Sequence, residues 1–316
     1  MGTPDRGTPH RHSFGTHERA PTHQDQGPRT NSGGLMSTIA MTREMGSLGK
    51  DVAEGLAGEL GLRLLYHEII DSVAEKMHLP ANVITRFLQG KAGRIESLRA
   101  DFDSMSLYTA EEVLEIAAKG NLMIRGWGAT CLLRPVSHVL CVRVCAPMTL
   151  RVQRIMDRVG IQDPKLAQTE IERSDAAHAA AMLRRFGISW QDAAHYDLVL
   201  NTERLSVGDC IQQIKDLLAS PSFQETAESR ARLHHLTLLT HVQSALRRDP
   251  KTREVRISLD EHISGTAGNM VLRGIVLNDA EKSLVENLAT RFPGVSSVEN
   301  QLQVQKNIKI ARKLDG

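Results

Sequence analysis

The sequence predicts an α/β protein: a five-stranded parallel sheet with helices on both faces, followed by a small α+β domain of αββαβ order. Three observations predict it. Short apolar runs alternate with segments of helical periodicity from Ser37 to residue 219, the order that gives a parallel sheet covered on both sides. A glycine loop joins the first apolar run to the first helical segment. From Ser220 the pattern changes to a polar stretch, an amphipathic helix and alternating strands. The expected boundaries are a tail at 1–35, a first domain at 36–219, a linker at 220–233, a second domain at 234–308 and a tail at 309–316.

The first strand is "STIAMT". "LGKDVAEGLAGELG" follows as a helix, with Val52, Leu56 and Leu60 at helical spacing and Gly61 as its stop. "RLLY" reads as a second strand, and "HEIIDSVAEKMH" and "PANVITRFLQGKAGRIESLR" as helices. "TAEEVLEIAAKG" reads as a helix opened by a Thr and two acids and closed by Gly120. "NLMIRG", "HVLCVRVCAP" and "YDLVLNT" supply three more strands, separated by helices at Ala129–Leu133, Met148–Val159 and Lys165–Phe186. "SVGDCIQQIKDLLAS" ends the first domain. In the second, "LTLLTHVQSALRRD" and "DAEKSLVENLATRF" are helices, and "EVRISLDEH", "NMVLRGIVL" and "VSSVENQLQVQ" are strands.

The chain has 316 residues, 41% hydrophobic but only 3% aromatic, so its core is built from aliphatic side chains and Met. A net charge of +2 does not point to nucleic acid or an anionic membrane. Cys131, Cys141, Cys145 and Cys210 form no CxxC pair and no zinc-like spacing, and read as reduced core thiols. No apolar run approaches the ~20 residues of a membrane span. "VLCVRVCA" is short and broken by Arg143, and the N-terminus lacks a signal-peptide core, so a cytoplasmic location is expected. Residues 1–35 hold four Pro, six Gly and four His with almost no large apolar residues, too few to offset ordering entropy by burial.

"TREMGSLGKD" carries the chemistry. A loop between a first strand and a first helix can aim successive amides at a phosphate, with the helix N-terminus adding favourable partial charge. Gly46, Ser47, Leu48, Gly49 and Lys50 lie where that geometry needs them. The Walker pattern asks for Gly at 44 and Ser or Thr at 51; this chain has Glu44 and Asp51. Spacing alone leaves an ordinary glycine turn as an equal alternative.

The same stretch resembles the N-terminal signature of the cytidylate kinase-like family, a Ser-Arg-Glu-aromatic-Gly-Ser-Gly-Gly loop followed by a basic and an acidic residue. Arg43, Glu44, Gly46, Ser47, Gly49, Lys50 and Asp51 fit it; Leu48 stands where Gly is usual. "YHEII", "MIRGWGATCLLR", "RVCAPMTLRVQRIMDR" and "FGISWQDAAHYDLVLNT" are similar to later segments of the family, in order, with Trp127 where Arg is usual. The resemblance covers residues 37–219. It implies a P-loop kinase fold that transfers the γ-phosphoryl of ATP to a nucleoside monophosphate such as CMP or dCMP. Lys50 would hold the β- and γ-phosphates, the backbone of Gly46 to Gly49 would cradle them, and Asp51 would meet Mg²⁺ directly or through water. Arg151, Arg154 and Arg158 share one helix face. The resemblance makes them lid residues that clamp the phosphoryl, against the alternative of a solvated basic face. Arg173 and Asp175 belong to the second lid segment, where His178 replaces an expected Arg; Arg173, Arg184 and Arg185 are the nearby cations that could compensate. Arg86, Arg94, Arg99 and Asp101 lie in the acceptor region, and a solvated helix face explains them equally well. Tyr196 and Asp197 read as anchors of the last strand, and Trp190 as packing.

"VQSALRRDP", "VLRGIVLNDAEK" and "PGVSSVENQLQV" resemble a BON domain, with Gly274, Gly294 and Val295 matching. Gly274 inside a strand implies a bulge or close backbone approach. The resemblance implies a ligand-sensing, tethering or oligomerising module, with peripheral membrane contact among its possible roles. Arg247, Arg248, Lys251 and Arg253 form a basic cluster, either for an anionic partner or as cations complementing a helix end. Two functions follow: a nucleoside monophosphate kinase with a BON module, or a weakly active or inactive nucleotide sensor that uses the P-loop domain as a switch.

Overall fold

The computed structural model describes residues 37–66, 68–88, 101–126, 128–259 and 268–305. Trp127, Arg94, Arg99 and both expected tails lie outside the described residues.

Five parallel strands, β1 (Thr38–Arg43), β2 (Arg63–Leu65), β3 (Leu122–Arg125), β4 (Val139–Cys145) and β5 (Leu198–Asn201), form one sheet in the order β2-β3-β1-β4-β5. Four strands lie within their predicted runs, and β1 runs one residue past its own, to Arg43. Period-two alternation sends neighbouring residues of β1 to opposite faces. Ile39 and Met41 pack with α1 (Gly49–Leu60) and a later helix at Val207–Leu218. Ala40 faces α2 (Glu68–Met77), α3 (Ala81–Leu88) and α4 (Phe102–Ala117). The remaining helices of this domain are α5 (Ala129–Leu132), α6 (Met148–Val159), α7 (Pro164–Phe186) and α8 (Val207–Leu218).

Two expectations are corrected. The helix expected to open at Thr109 begins at Phe102, because Asp101 accepts the Ser104 amide at 3.0 Å and caps it. Thr109 lies inside, its hydroxyl donating to the Met105 carbonyl at 2.7 Å. Further on, residues 220–233, expected as a polar linker, hold a short 3₁₀ turn and the first turns of α9 (Ala227–Arg248). A reciprocal Thr226–Ser229 capping box starts that helix. The segment is polar because it supplies caps, a signal that composition alone renders as a linker.

α9 belongs to two cores. Leu233 and Leu236 pack into the cluster beneath the parallel sheet, while Leu239, Val242 and Leu246 pack under a second sheet. That sheet has the order β6-β7-β8, from β6 (Arg256–Leu259), β7 (Asn269–Val276) and β8 (Ser297–Val304), with α10 (Asp279–Thr290) alongside α9. β7 pairs antiparallel with β6 and parallel with β8, completing αββαβ. A Cβ on Gly274 would sit 2.2 Å from the Arg256 carbonyl oxygen, so the strands approach there as the sequence implied.

The docking of α9 on α4 is also ionic. Arg247 donates to Asp101 at 2.8 and 3.0 Å, and Arg248 to Glu111 at 2.6 and 2.8 Å. Half of the expected basic cluster is therefore committed to the first domain. His138 pairs with the Ser229 hydroxyl at 2.7 Å, tying the approach to β4 to the start of α9.

A helix shared by two cores couples their unfolding. Leu233→Ala and Leu302→Ala, one in each core, are expected to cost about 2–5 kcal/mol apiece and to shift one common endotherm in calorimetry. Two endotherms, each answering to only one substitution, would refute that coupling.

Candidate active site

Parallel strands direct the loops at their C-terminal ends to one edge of the sheet. The loop after β1, Glu44 to Leu48, is held there from beneath. Glu44 is 7% exposed, and its carboxylate accepts from Arg143 Nη2 at 2.6 Å and from the Ala146 amide at 3.1 Å. Arg151, 4% exposed, lies 3.5 Å from the same carboxylate. Its Nε donates to the Met45 carbonyl at 2.7 Å, and its Nη2 to both Asp175 oxygens at 2.7 and 2.8 Å. Arg143 also donates to the Trp190 carbonyl at 2.5 Å and stacks on that ring. A buried quartet of two arginines and two carboxylates thus fixes loop, β4, α6 and α7 together.

The upper side of the loop is open to a ligand. Among the described residues, no carbonyl accepts from the amides of Gly46, Leu48, Gly49 or Lys50. Gly46 has φ +79°, and a Cβ there would lie 2.8 Å from the Arg151 carbonyl oxygen. Leu48, in the place where the resemblance led one to expect Gly, adopts the same left-handed region at φ 60°. Ser47 is fully buried: its carbonyl accepts from Thr202 Oγ1 at 2.8 Å, and its own hydroxyl points inward without a partner. Arg43, Gly46, Leu48, Lys50, Asp51, Arg154 and Arg158 line a depression of about 40 Å³. Among the described residues Lys50 is tethered by Glu54 alone, at 3.4 Å, and Asp51 faces Arg158 at 3.8 Å with one carboxylate oxygen lacking a hydrogen bond. Free amides, a lysine and a carboxylate short of a donor at a helix N-terminus fit a polyphosphate with its divalent cation.

The predicted lid residues separate. Arg154 donates to Thr202 Oγ1 at 3.0 Å and to its carbonyl at 2.8 Å while still bordering the depression. Arg151 is a buried brace between loop and α7, with its donors engaged. Arg173 is exposed, 3.9 Å from Glu170, at the rim of a second cavity. Asp175 is held by Arg151.

That second cavity, of about 250 Å³, lies beside the first and contains a residue that sequence reasoning missed. Arg125, at the C-terminal end of β3, is 9% exposed, and its Nε and Nη1 are buried without hydrogen-bond partners. Its guanidinium stacks 4.7 Å over Tyr66. Two buried unmet donors on a cation cost about 1–3 kcal/mol each or more, which marks a position awaiting an anion. Arg43 lines both cavities and makes no ion pair within 4.0 Å among the described residues. Burial, then the charge of Arg125, pulls the Arg43 pKa down. The signal was available in "MIRG": a charged residue ending an apolar strand at the ligand-binding edge. Glu44 and Arg143 were likewise legible only as a motif letter and as an interruption.

His178 is no substitute for an arginine. Its Nε2 meets Thr42 Oγ1 at 3.3 Å, its ring stands edge-on to Trp190, and burial followed by Arg143 and Arg43 lowers its pKa to about 4. Tyr196 donates to the Trp190 carbonyl at 2.6 Å and Asp197 accepts the Cys141 amide at 2.8 Å, anchoring the last strand.

Two outcomes are expected. Gly46→Ala should destabilise by about 2 kcal/mol or more, because it adds left-handed strain to a backbone clash. Gly58→Ala, on an open helix face, should stabilise by about 0.5–1 kcal/mol; urea midpoints decide. Protonation gives the second. Unfolded His178 titrates near 6.5 and the folded residue near 4. The unfolded chain therefore binds more protons between those values. Stability is complete above pH 6.5 and falls on acidification towards 4, by up to roughly 3 kcal/mol. Burial lowers His138 and His235 in the same direction. His178→Phe should flatten the slope of urea midpoint against pH; an unchanged slope would exclude His178 as its source.

The cytidylate kinase-like family model matches residues 38–204, and the BON domain model matches residues 237–306. The chain is similar to a cytidylate kinase of Pyrobaculum islandicum, 26% identical over 188 residues, 58% of this chain and 94% of that protein. It is similar to one of Saccharolobus islandicus, 27% identical over 186 residues, 58% and 92% of the two chains. An uncharacterized protein from Eubacterium ventriosum superposes at a TM-score of 0.47 with 20% identity, over 58% of this chain and 99% of that one. Glycine loop, sheet order and family match converge on residues 38–204: the chain belongs to the cytidylate kinase-like family and carries a BON domain behind that region.

Proposed function

We propose that the chain transfers the γ-phosphoryl of ATP to the phosphate of a nucleoside monophosphate, CMP or dCMP. One observation carries this reading: Arg43 lines both the phosphate-loop depression and the neighbouring cavity that holds Arg125. A cation between two anion sites suits a reaction that joins their ligands.

The roles follow from placement. The amides of Gly46, Leu48, Gly49 and Lys50 receive the β- and γ-phosphates, and the Lys50 ammonium neutralises them. Asp51 would hold Mg²⁺, which would add to the neutralisation of those phosphates. Arg125 takes the acceptor phosphate on its unmet Nε and Nη1, replacing the guanidinium that Trp127 displaces from the family pattern. An acceptor phosphate oxygen bonds to the γ-phosphorus, the bond to the bridging oxygen breaks, and ADP leaves with the electron pair. Arg43 and Arg154 stabilise the charge spread over the transferring group; positioning and electrostatics supply the catalysis.

A nucleotide sensor of weak or absent turnover is the second reading, and His178 favours it. A neutral imidazole packed on Trp190 supplies no charge where the family pattern has Arg, and Arg151 is engaged below the loop. A coupled ADP-release assay across CMP, dCMP, UMP and AMP separates the two. Turnover is expected with a cytidine nucleotide, reduced at least about 10²-fold by Lys50→Ala. Arg125→Gln should raise the acceptor KM tenfold or more and leave ATP affinity unchanged. Calorimetric ATP binding with no ADP release on any acceptor would establish the sensor instead.

A further inference from the structure

A further cavity, larger than both of those above, lies elsewhere in the molecule. It has a volume of about 550 Å³ and lies where both domains meet, walled by α4, α5 and the C-terminal end of α7 on one side and by α9 and β6 on the other. It shares no lining residue with the phosphate-loop depression or the acceptor cavity. The volume is that of a small-molecule site.

Its walls have two chemistries. Met105, Leu114, Leu132, Leu236, Leu239 and Leu259 make an apolar interior. Arg184 and Arg185, the last basic residues of α7, line it as well. Neither has a carboxylate within 4.0 Å among the described residues. Arg184 lies 3.9 Å over the Phe102 ring. Arg185 gives one Nη2 hydrogen bond, to the Ser106 carbonyl at 3.2 Å, and its Nε is buried with no partner. Burial pulls the Arg185 pKa down to about 10, as for a cation lacking a counter-charge. Asp103 is the acidic lining residue, so two cations and one anion leave the described wall at +1. A guanidinium with a buried unmet donor, in a wall shared with apolar side chains, calls for a single negative charge on an apolar body. A dianion would exceed the +1 of the described wall.

We propose that this interdomain cavity binds a small amphipathic monoanion, its carboxylate on Arg185 and its hydrocarbon between α4 and α9. Such a ligand would contact elements of both domains at once. Its binding does not depend on the nucleotide reading, because the two sites have no residue in common.

Titration calorimetry on the full chain, with octanoate and octanol as probes, tests the assignment. Octanoate is expected to bind one to one in the ~100 µM range, and octanol at least tenfold more weakly. Arg185→Gln should remove that difference. Ala181→Trp, which places a large side chain on the α7 wall, should abolish octanoate binding without changing ATP binding. Equal affinity for octanoate and octanol in the unaltered chain would overturn the proposal, as would octanoate affinity unchanged in Ala181→Trp. If Arg185→Gln fails to fold by circular dichroism, the probe comparison and Ala181→Trp decide between these outcomes.

Discussion

The carboxylate of Glu44 is the fixed point of the first domain. It sits directly under the phosphate loop and receives Arg143 from β4, Arg151 from α6 and the amide of Ala146. Through Arg151 the same network reaches Asp175 on α7. Two arginines and two carboxylates balance in charge, which is what lets them be buried at all. Such networks are weak sources of net stability. Their strength is geometric, since the loss of any one partner leaves an uncompensated buried charge. Here the geometry concerned is the loop itself, bonded on its lower side while, among the described residues, its upper amides have no carbonyl partner.

The same constraint explains the departures from the family pattern. Arg151 works below the loop, so positive charge above it comes from Lys50, Arg154 and Arg43. Trp127 occupies the place of an arginine, and Arg125, two residues earlier on the strand end, brings a guanidinium with unmet donors to the neighbouring cavity. His178, neutral and packed on Trp190, fills space where the pattern has charge.

A second organising feature is α9. One helix contributes Leu233 and Leu236 to the core under the parallel sheet and Leu239, Val242 and Leu246 to the core under the smaller one. Arg247 and Arg248 pin its far end to α4. A flexible linker would let two modules act independently. A continuous helix packed into both cores makes the position of one depend on the packing of the other, and it builds one wall of the chamber between them.

The sequence by itself determined the strand-and-helix order, the loop between β1 and α1, both family resemblances and the placement of Lys50 and Asp51 in the first turn behind that loop. These are local: period-two and period-3.6 patterns and turn residues are written within a few positions of where they act. Tertiary structure decided which arginines brace the loop and which border the depression beside it, since Arg151 and Arg154 share one helix face yet differ in what packs against them. It decided that residues 220–233 lead into a helix: caps and linkers use the same polar residues, and only the packing of Leu233 and Leu236 distinguishes them. It brought Arg43 and Arg125 from separate strands to adjoining cavities and aligned α4 with α9. Burial and charge partnership are relations between distant positions, and they exist only after the chain has closed on itself.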